Sequence, residues 1–125
     1  NPMYGQNKAD NETALATAVS DYQVEYTATA AVDSKVVKFI QVSHASTPVV
    51  ITGVRGIDWA GQTVVIKNTS ASGTASHTVT LSQGTWNGSN AIATLNAANE
   101  CLICTFDSAG NGTIVENVGS VGLSG

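Results

Sequence analysis

The chain has 125 residues, only 11% of them charged, and a formal net charge of −4. This length fits one domain with a real hydrophobic core. A nucleic-acid-binding surface concentrates its cations to neutralise phosphates, whereas the five here are dispersed singly. No apolar run approaches the ~20 residues of a membrane helix, and a signal peptide's features are missing at the N-terminus. We therefore expect no nucleic-acid and no membrane partner.

The low charge favours an oligomer over the alternative, a hydroxyl-rich monomer.

Residues 1–20 show no consistent period, so we predict an extended arm with at most one helical turn, beginning at Asn11. Exposed apolar side chains near the start of the arm would suit attachment to a larger assembly. The alternative is a frayed terminus. The candidate anchoring residues are Pro2, Met3, Tyr4, Gln6 and Asn7.

The pattern then changes to the two-residue repeat of a strand. Tyr22, Val24 and Tyr26 alternate with polar residues, which predicts a strand with one buried and one solvated face. Residues 36–42 carry apolar side chains on both sides, which predicts a strand that is covered on both faces.

The densest run of strand and turn signals spans residues 48–81. Segments rich in β-branched residues at 49–51, 63–67 and 78–81 are separated by turns rich in Gly and Ser. Because short turns usually join neighbouring antiparallel strands, this run predicts an antiparallel meander.

Three more strands are predicted at residues 91–95, 100–106 and 113–117, and Asn87-Gly88 marks a tight turn. About eight short strands without a long helix indicate a sandwich, jelly roll or barrel.

The sequence thus predicts an all-β fold, a β-sandwich or jelly-roll-like domain of about eight short antiparallel strands. We assign residues 21–125 to this domain and residues 1–20 to the extended N-terminal arm.

Four segments between Ile51 and Glu100 occur in an order found in a known group of proteins. They are Ile-Thr-Gly, Ala-Gly-Gln-Thr-Val-Val-Ile-Lys-Asn, Thr-Val-Thr-Leu and Ala-Thr-Leu-Asn-Ala-Ala-Asn-Glu. This series resembles the small β-domains of tailed-phage virion proteins, which include head decoration (cement) proteins, head fibres and tail-fibre tips. The leading Asn-Pro-Met-Tyr-Gly-Gln-Asn-Lys-Ala-Asp-Asn is similar to the first segment of decoration proteins. Such domains often carry Trp in the last strand, where this chain has Thr113 and Ile114.

The resemblance implies a capsid decoration protein. It would bind the major capsid protein of a phage head as a homotrimer, on the capsid surface of a virion assembled in the bacterial cytoplasm. The alternative is a head-fibre or tail-fibre tip that binds host-surface carbohydrate through loops carrying Trp59, Trp86 or His44. A fibre tip should be preceded by a shaft, so we expect the decoration protein.

Catalytic and metal-binding patterns are weak. His44 and His77 are the two bases that could activate a nucleophile, but no Gly-x-Ser-x-Gly segment accompanies them. Cys101 and Cys104 have the Cys-x-x-Cys spacing, yet side chains three residues apart on a strand point to opposite faces. Acidic residues such as Glu100 lie beside turns, where we expect them to be solvated. We predict no enzyme, no cofactor and no metal site.

Three residues are candidates for a contact with another subunit or a ligand: Arg55, Trp59 and Trp86. Turn residues flank both tryptophans, so each indole could be an exposed platform that stacks on a sugar or a lid over the end of the core. For Trp59 we favour the lid or a subunit contact; for Trp86 the two alternatives stay open.

Overall fold

The computed structural model describes residues 22–71 and 73–125. They form ten strands and one short 3-10 helix, Gly56–Trp59. The strands are β1 (Gln23–Tyr26), β2 (Ala30–Ala31), β3 (Phe39–Val42), β4 (Val50–Arg55), β5 (Thr63–Asn68), β6 (His77–Gln83), β7 (Ile92–Leu95), β8 (Cys101–Phe106), β9 (Gly112–Val118) and β10 (Gly122–Ser124). The predicted arm, with its anchoring residues Pro2, Met3, Tyr4, Gln6 and Asn7, lies outside the described residues.

The ten strands form two five-stranded sheets that share one hydrophobic core. The first sheet has the order β1-β3-β5-β8-β9, and the second has the order β10-β7-β6-β4-β2. The all-β sandwich predicted from the sequence is confirmed. Two short strands, β2 and β10, are additional, because segments of two or three residues carry no recognisable period.

Alternation along the central strands builds the core between the sheets. In β5, Val64 and Ile66 point inward and are fully buried, whereas Val65 between them stays partly exposed. In β8, Leu102 and Cys104 are buried in the same way. Burial of one such aliphatic side chain contributes about 1.5–3 kcal/mol, so the alternation decides which face of each strand turns inward.

Strand pairing differs from the antiparallel arrangement that the sequence predicts. Four of the eight pairings between named strands in the described residues are antiparallel, and the other four, β1-β3, β3-β5, β2-β4 and β4-β6, are parallel. The predicted meander over residues 48–81 is wrong: β4 pairs with β6, and β5 lies in the opposite sheet. Parallel neighbours require a crossover, and β5 serves as that crossover, so the chain returns to β6 running in the same direction as β4.

Three chain segments meet at glycines at one end of the sandwich. A methyl group at Gly56 or at Gly84 would lie well inside the van der Waals radius of the Gly110 carbonyl oxygen. These glycines let the 3-10 helix, the end of β6 and the loop between β8 and β9 approach backbone to backbone. The contact closes this end over Trp59 and Phe106, whose rings pack edge to face with centroids 5.1 Å apart.

Candidate interaction surface

Trp59 belongs to the core rather than to the surface. Its side chain is 0% exposed, and its Nε1–H donates a hydrogen bond to the Val37 carbonyl oxygen at 3.0 Å. The 3-10 helix turns the indole inward, where it meets Phe106. A ring in this position cannot stack on a sugar or contact another subunit. Of the two favoured alternatives for Trp59, the lid over the core is confirmed, and the expected subunit or ligand contact is wrong.

Trp86 is also 0% exposed. Asn87 and Gly88 adopt positive φ, which confirms the predicted tight turn, and the backbones of Trp86 and Asn90 are bridged across it. Gly112 makes room for the indole, because a methyl group there would lie 2.8 Å from Trp86 Cδ1. The alternative of an exposed platform at Trp86 is wrong, since the turn directs this ring into the core.

Arg55 is the one member of the predicted contact set that reaches solvent. Its side chain is 50% exposed and lies 3.9 Å from the Asp58 carboxylate, which is 11% exposed. An exposed ion pair at this distance contributes about 0–1 kcal/mol. Asp58 is held more firmly by Ser34, whose hydroxyl donates to Asp58 Oδ2 at 2.6 Å.

Lys38 stabilises the backbone around Ser34 and Asp58 from inside the protein. It is 6% exposed, and its Nζ donates to the carbonyl oxygens of Ser34 and Asp58 at 2.7 and 3.0 Å. Burial lowers the pKa of Lys38, an effect that the Asp58 and Asp33 carboxylates partly offset. The amine therefore ties the loop before β3 to the 3-10 helix, a structural role.

The two histidines lie close together, but their hydrogen bonds leave no base for a nucleophile. His77 is fully buried, and its Nδ1 accepts the Val49 N–H at 2.9 Å. Nδ1 therefore carries the lone pair and Nε2 the proton, which faces the hydroxyls of Ser70 and Thr74 at 3.1 Å each. A base for Ser70 would need the reverse assignment. Burial also lowers the pKa of His77.

His44, a candidate ligand-binding residue in a loop, is engaged with its own backbone. Its Nδ1 accepts the N–H groups of Ser46 and Thr47 at 3.1 and 2.9 Å. Its backbone N–H reaches the Ser70 hydroxyl at 3.0 Å. The imidazole therefore shapes the loop before β4.

Glu100 is buried at 1% exposure, in contrast to the expected solvated carboxylate. Its Oε1 accepts the N–H groups of Asn96 and Ala97 at 2.6 and 2.7 Å, which closes the turn between β7 and β8. Its Oε2 has no hydrogen-bond partner among the described residues. The sequence signal was the turn itself, because the free backbone N–H groups of a turn need an acceptor.

The two cysteines lie on opposite sides of β8, as predicted. Cys101 is partly exposed on the outer face, and Cys104 is buried in the core with a free thiol. Burial raises the pKa of Cys104 to about 11, with the nearby Trp86 indole acting in the opposite direction. The described residues contain no group of three His, Cys, Asp or Glu side chains that could hold a metal ion.

The outer face of the first sheet carries an apolar row across its three central strands. Phe39, Val65 and Ile103 lie side by side in register, and each is partly exposed. We call these three residues the apolar row. The next row along the strands contains Lys67 in β5, Cys101 in β8 and Val118 in β9. Val118 is 45% exposed.

The outer face of the second sheet mixes hydroxyl and apolar side chains. Thr78 pairs with Thr94 on one side and Val50 on the other, and Thr80 pairs with Ile92. Hydroxyl groups suit a solvated sheet face, whereas the apolar row does not. The sequence did contain a signal for the apolar row, since β3, β5 and β8 all have apolar residues at outward positions.

No protein family, no curated protein and no solved structure matches the chain. Among the described residues, no helix has the length and apolar character of a membrane span. The candidate site is therefore defined by geometry alone. It is the outer face of the first sheet, because the buried polar clusters all stabilise local backbone.

Proposed function

We propose that this protein is a non-enzymatic structural protein of a phage virion, a decoration protein that binds the capsid surface as a homotrimer and stabilises the head. The observation that carries the proposal is the ordered series of segments between Ile51 and Glu100 that resembles phage virion domains. In the structure these segments form β4 to β7 and the turn before β8. They are the framework of the sandwich.

The chemistry of the buried polar residues supports a structural role. His77 has its proton on Nε2, Glu100 closes a turn, and Lys38 binds two carbonyl oxygens. Each group is used to hold backbone in place. A partly exposed apolar row on the outer face of one sheet favours a protein that functions in an assembly.

The proposed mechanism is multivalent attachment. Each domain presents residues 1–20, with Pro2, Met3, Tyr4, Gln6 and Asn7, to neighbouring subunits of the major capsid protein. Each contact is weak. Once one arm of a trimer has bound, the other two experience a high effective concentration of their sites. Cross-linking neighbouring capsid subunits in this way would resist the pressure of packaged DNA.

The test is the mass of the purified protein by light scattering, followed by pelleting with undecorated phage heads. We expect a trimer that co-pellets at a fixed ratio to the major capsid protein. A variant lacking residues 1–10 should keep the β-domain folded, by circular dichroism, and lose attachment. A monomer, or a trimer that stays in the supernatant, would overturn the proposal.

The second candidate function, a fibre tip that binds carbohydrate, has less support. Its two aromatic platforms, Trp59 and Trp86, are buried, and His44 is bonded to its own loop. A glycan array separates the two functions, because a fibre tip should bind specific host sugars and a decoration protein should bind none.

A further inference from the structure

The chain contains the dipeptide Asn-Gly twice, at Asn87-Gly88 and at Asn111-Gly112. In this dipeptide the backbone nitrogen of the glycine can attack the side-chain amide carbon of the asparagine, because glycine has no side chain to hinder the approach. The attack requires the peptide group between the two residues to rotate towards the asparagine side chain. The reactivity of each pair therefore depends on what holds its peptide group.

The peptide group between Asn111 and Gly112 is held at both ends. Its N–H donates to the Thr85 carbonyl oxygen at 2.9 Å, and its carbonyl oxygen accepts the Asp107 N–H, also at 2.9 Å. The side-chain oxygen of Asn111 accepts the Thr85 N–H at 3.1 Å. Gly112 is buried, and a methyl group there would lie 2.8 Å from Trp86 Cδ1. Rotation of this peptide group would break both of its hydrogen bonds and disturb the packing against Trp86.

The peptide group between Asn87 and Gly88 has no hydrogen bond at either end within residues 22–71 and 73–125. Both residues are exposed, and a methyl group at Gly88 would meet no atom within 4 Å beyond its two chain neighbours. The side-chain oxygen of Asn87 accepts the Ile114 N–H at 3.4 Å, a long and therefore weak bond. This peptide group can rotate without losing a hydrogen bond of its own.

We propose that Asn87 is a site of spontaneous deamidation and that the fold protects Asn111 from the same reaction. A bond forms between the Gly88 nitrogen and the Asn87 Cγ, and the Cγ–Nδ2 bond breaks. The side-chain nitrogen leaves as ammonia, together with the proton that the Gly88 nitrogen loses. Water then opens the succinimide ring at one of its two carbonyl carbons, which gives aspartate or isoaspartate. This reaction is independent of the proposed function.

Isoaspartate would change the turn directly beside a buried indole. Its backbone runs through the former side chain, so the turn gains one backbone atom after Trp86. The Trp86 N–H donates to the Asn90 carbonyl oxygen at 2.6 Å, and the Asn87 N–H donates to the Gly112 carbonyl oxygen at 2.9 Å. These bonds fix both ends of the turn, and a longer backbone between them strains them. We therefore expect the isoaspartate form to have a lower midpoint of thermal unfolding.

The test is incubation of the folded protein at mildly alkaline pH, which favours the deprotonated glycine nitrogen, followed by pepsin digestion and mass spectrometry. Pepsin works in acid, where ring closure is slow, and Phe106 lies between the two asparagines, so they fall into different peptides. We expect the mass gain of deamidation and an isoaspartate isomer at Asn87. The rate at Asn111 should be lower by at least about tenfold, because a hydrogen-bonded segment must open first.

The matched control is the same chain unfolded in guanidinium chloride. Unfolding removes the hydrogen bonds of the Asn111-Gly112 peptide group, so the two asparagines should then react at similar rates. Asn87→Gly should abolish the modification in the folded protein and keep the turn, because glycine adopts the positive φ of 51° found at Asn87. Asn111→Ser should leave the rate at Asn87 unchanged, with circular dichroism to confirm folding of both variants.

Two results would overturn the inference. Equal rates at Asn87 and Asn111 in the folded protein would show that the hydrogen bonds to Thr85 and Asp107 give no protection. An unmodified Asn87 in the folded protein, whatever the unfolded chain does, would show that the turn itself prevents ring closure. Neither result concerns the assembly state or attachment to phage heads, which light scattering and pelleting test separately.

Discussion

The Nδ1 atom of His77 accepts the backbone N–H of Val49 at 2.9 Å, and this bond joins the start of β6 to the segment that leads into β4. The two residues are 28 positions apart. The bond makes the fold sensitive to the protonation of one ring, because an imidazolium has no lone pair to offer the Val49 N–H.

Stability should therefore fall in mild acid. Burial places the pKa of His77 below its usual value, so above about pH 6.5 the ring is neutral in both the folded and the unfolded chain. As the pH falls from about 6.5 towards the lower folded pKa, the unfolded chain takes up the proton first and stability is lost. Urea unfolding between pH 7.5 and 5, at fixed protein concentration, measures how the free energy of unfolding changes with pH. This range brackets the usual histidine pKa of ~6.5. His77→Gln should flatten this dependence, and an unchanged slope in that variant would contradict the role of His77.

Glu100 should be the most important acidic residue for stability. Glu100→Ala leaves the N–H groups of Asn96 and Ala97 without their carboxylate acceptor in a partly buried turn, at a cost of about 1–3 kcal/mol. Glu100→Gln keeps a carbonyl oxygen in the same place and should cost less. Glu25→Gln, on an exposed strand, is the control and should change the free energy of unfolding by under about 1 kcal/mol. Equal losses for Glu100→Ala and Glu25→Gln in urea unfolding would contradict the role of the turn.

Gly56 tests the glycine contact that closes one end of the sandwich. Gly56→Ala places a methyl group against the Gly110 carbonyl oxygen, and we expect a loss of about 1–3 kcal/mol as the two backbones separate. Gly122→Ala is the matched control, because a methyl group there would lie 3.8 Å from the Thr94 Cβ, an ordinary contact. Thermal unfolding of the two variants compares them directly, and an equally stable Gly56→Ala would show that the segments are free to move apart.

The tryptophans should behave as core residues in fluorescence. With Trp59 and Trp86 both at 0% exposure, we expect blue-shifted emission and little quenching by iodide until the protein unfolds. Trp59→Phe keeps a ring against Phe106 but leaves the Val37 carbonyl oxygen unpaired, which should cost about 1–3 kcal/mol. Efficient iodide quenching of the folded protein would contradict the burial of the tryptophans and would support the exposed platform that carbohydrate binding requires.

Local patterns in the sequence were sufficient for all the strands except the short β2 and β10. The pattern in residues 63–67 located β5, and the strand pattern in residues 100–106 correctly predicted that Cys101 and Cys104 lie on opposite faces of β8. The Asn87-Gly88 turn was also predicted correctly, because Asn and Gly adopt positive φ more readily than other residues do. Candidate sites were harder to predict: turn residues flank Trp59 and Trp86, so the sequence left an exposed platform and a lid over the core as alternatives.

The sequence by itself determined that this chain is an all-β protein and where most of its strands lie. These properties depend on neighbours two residues apart along the chain. Only the tertiary structure decided that β4 runs parallel to β6, that Glu100 and His77 are buried, and that Phe39, Val65 and Ile103 form one row. The strand pairings and the bond of His77 to Val49 join residues more than twenty positions apart, so they follow from the packing of two sheets rather than from any local preference.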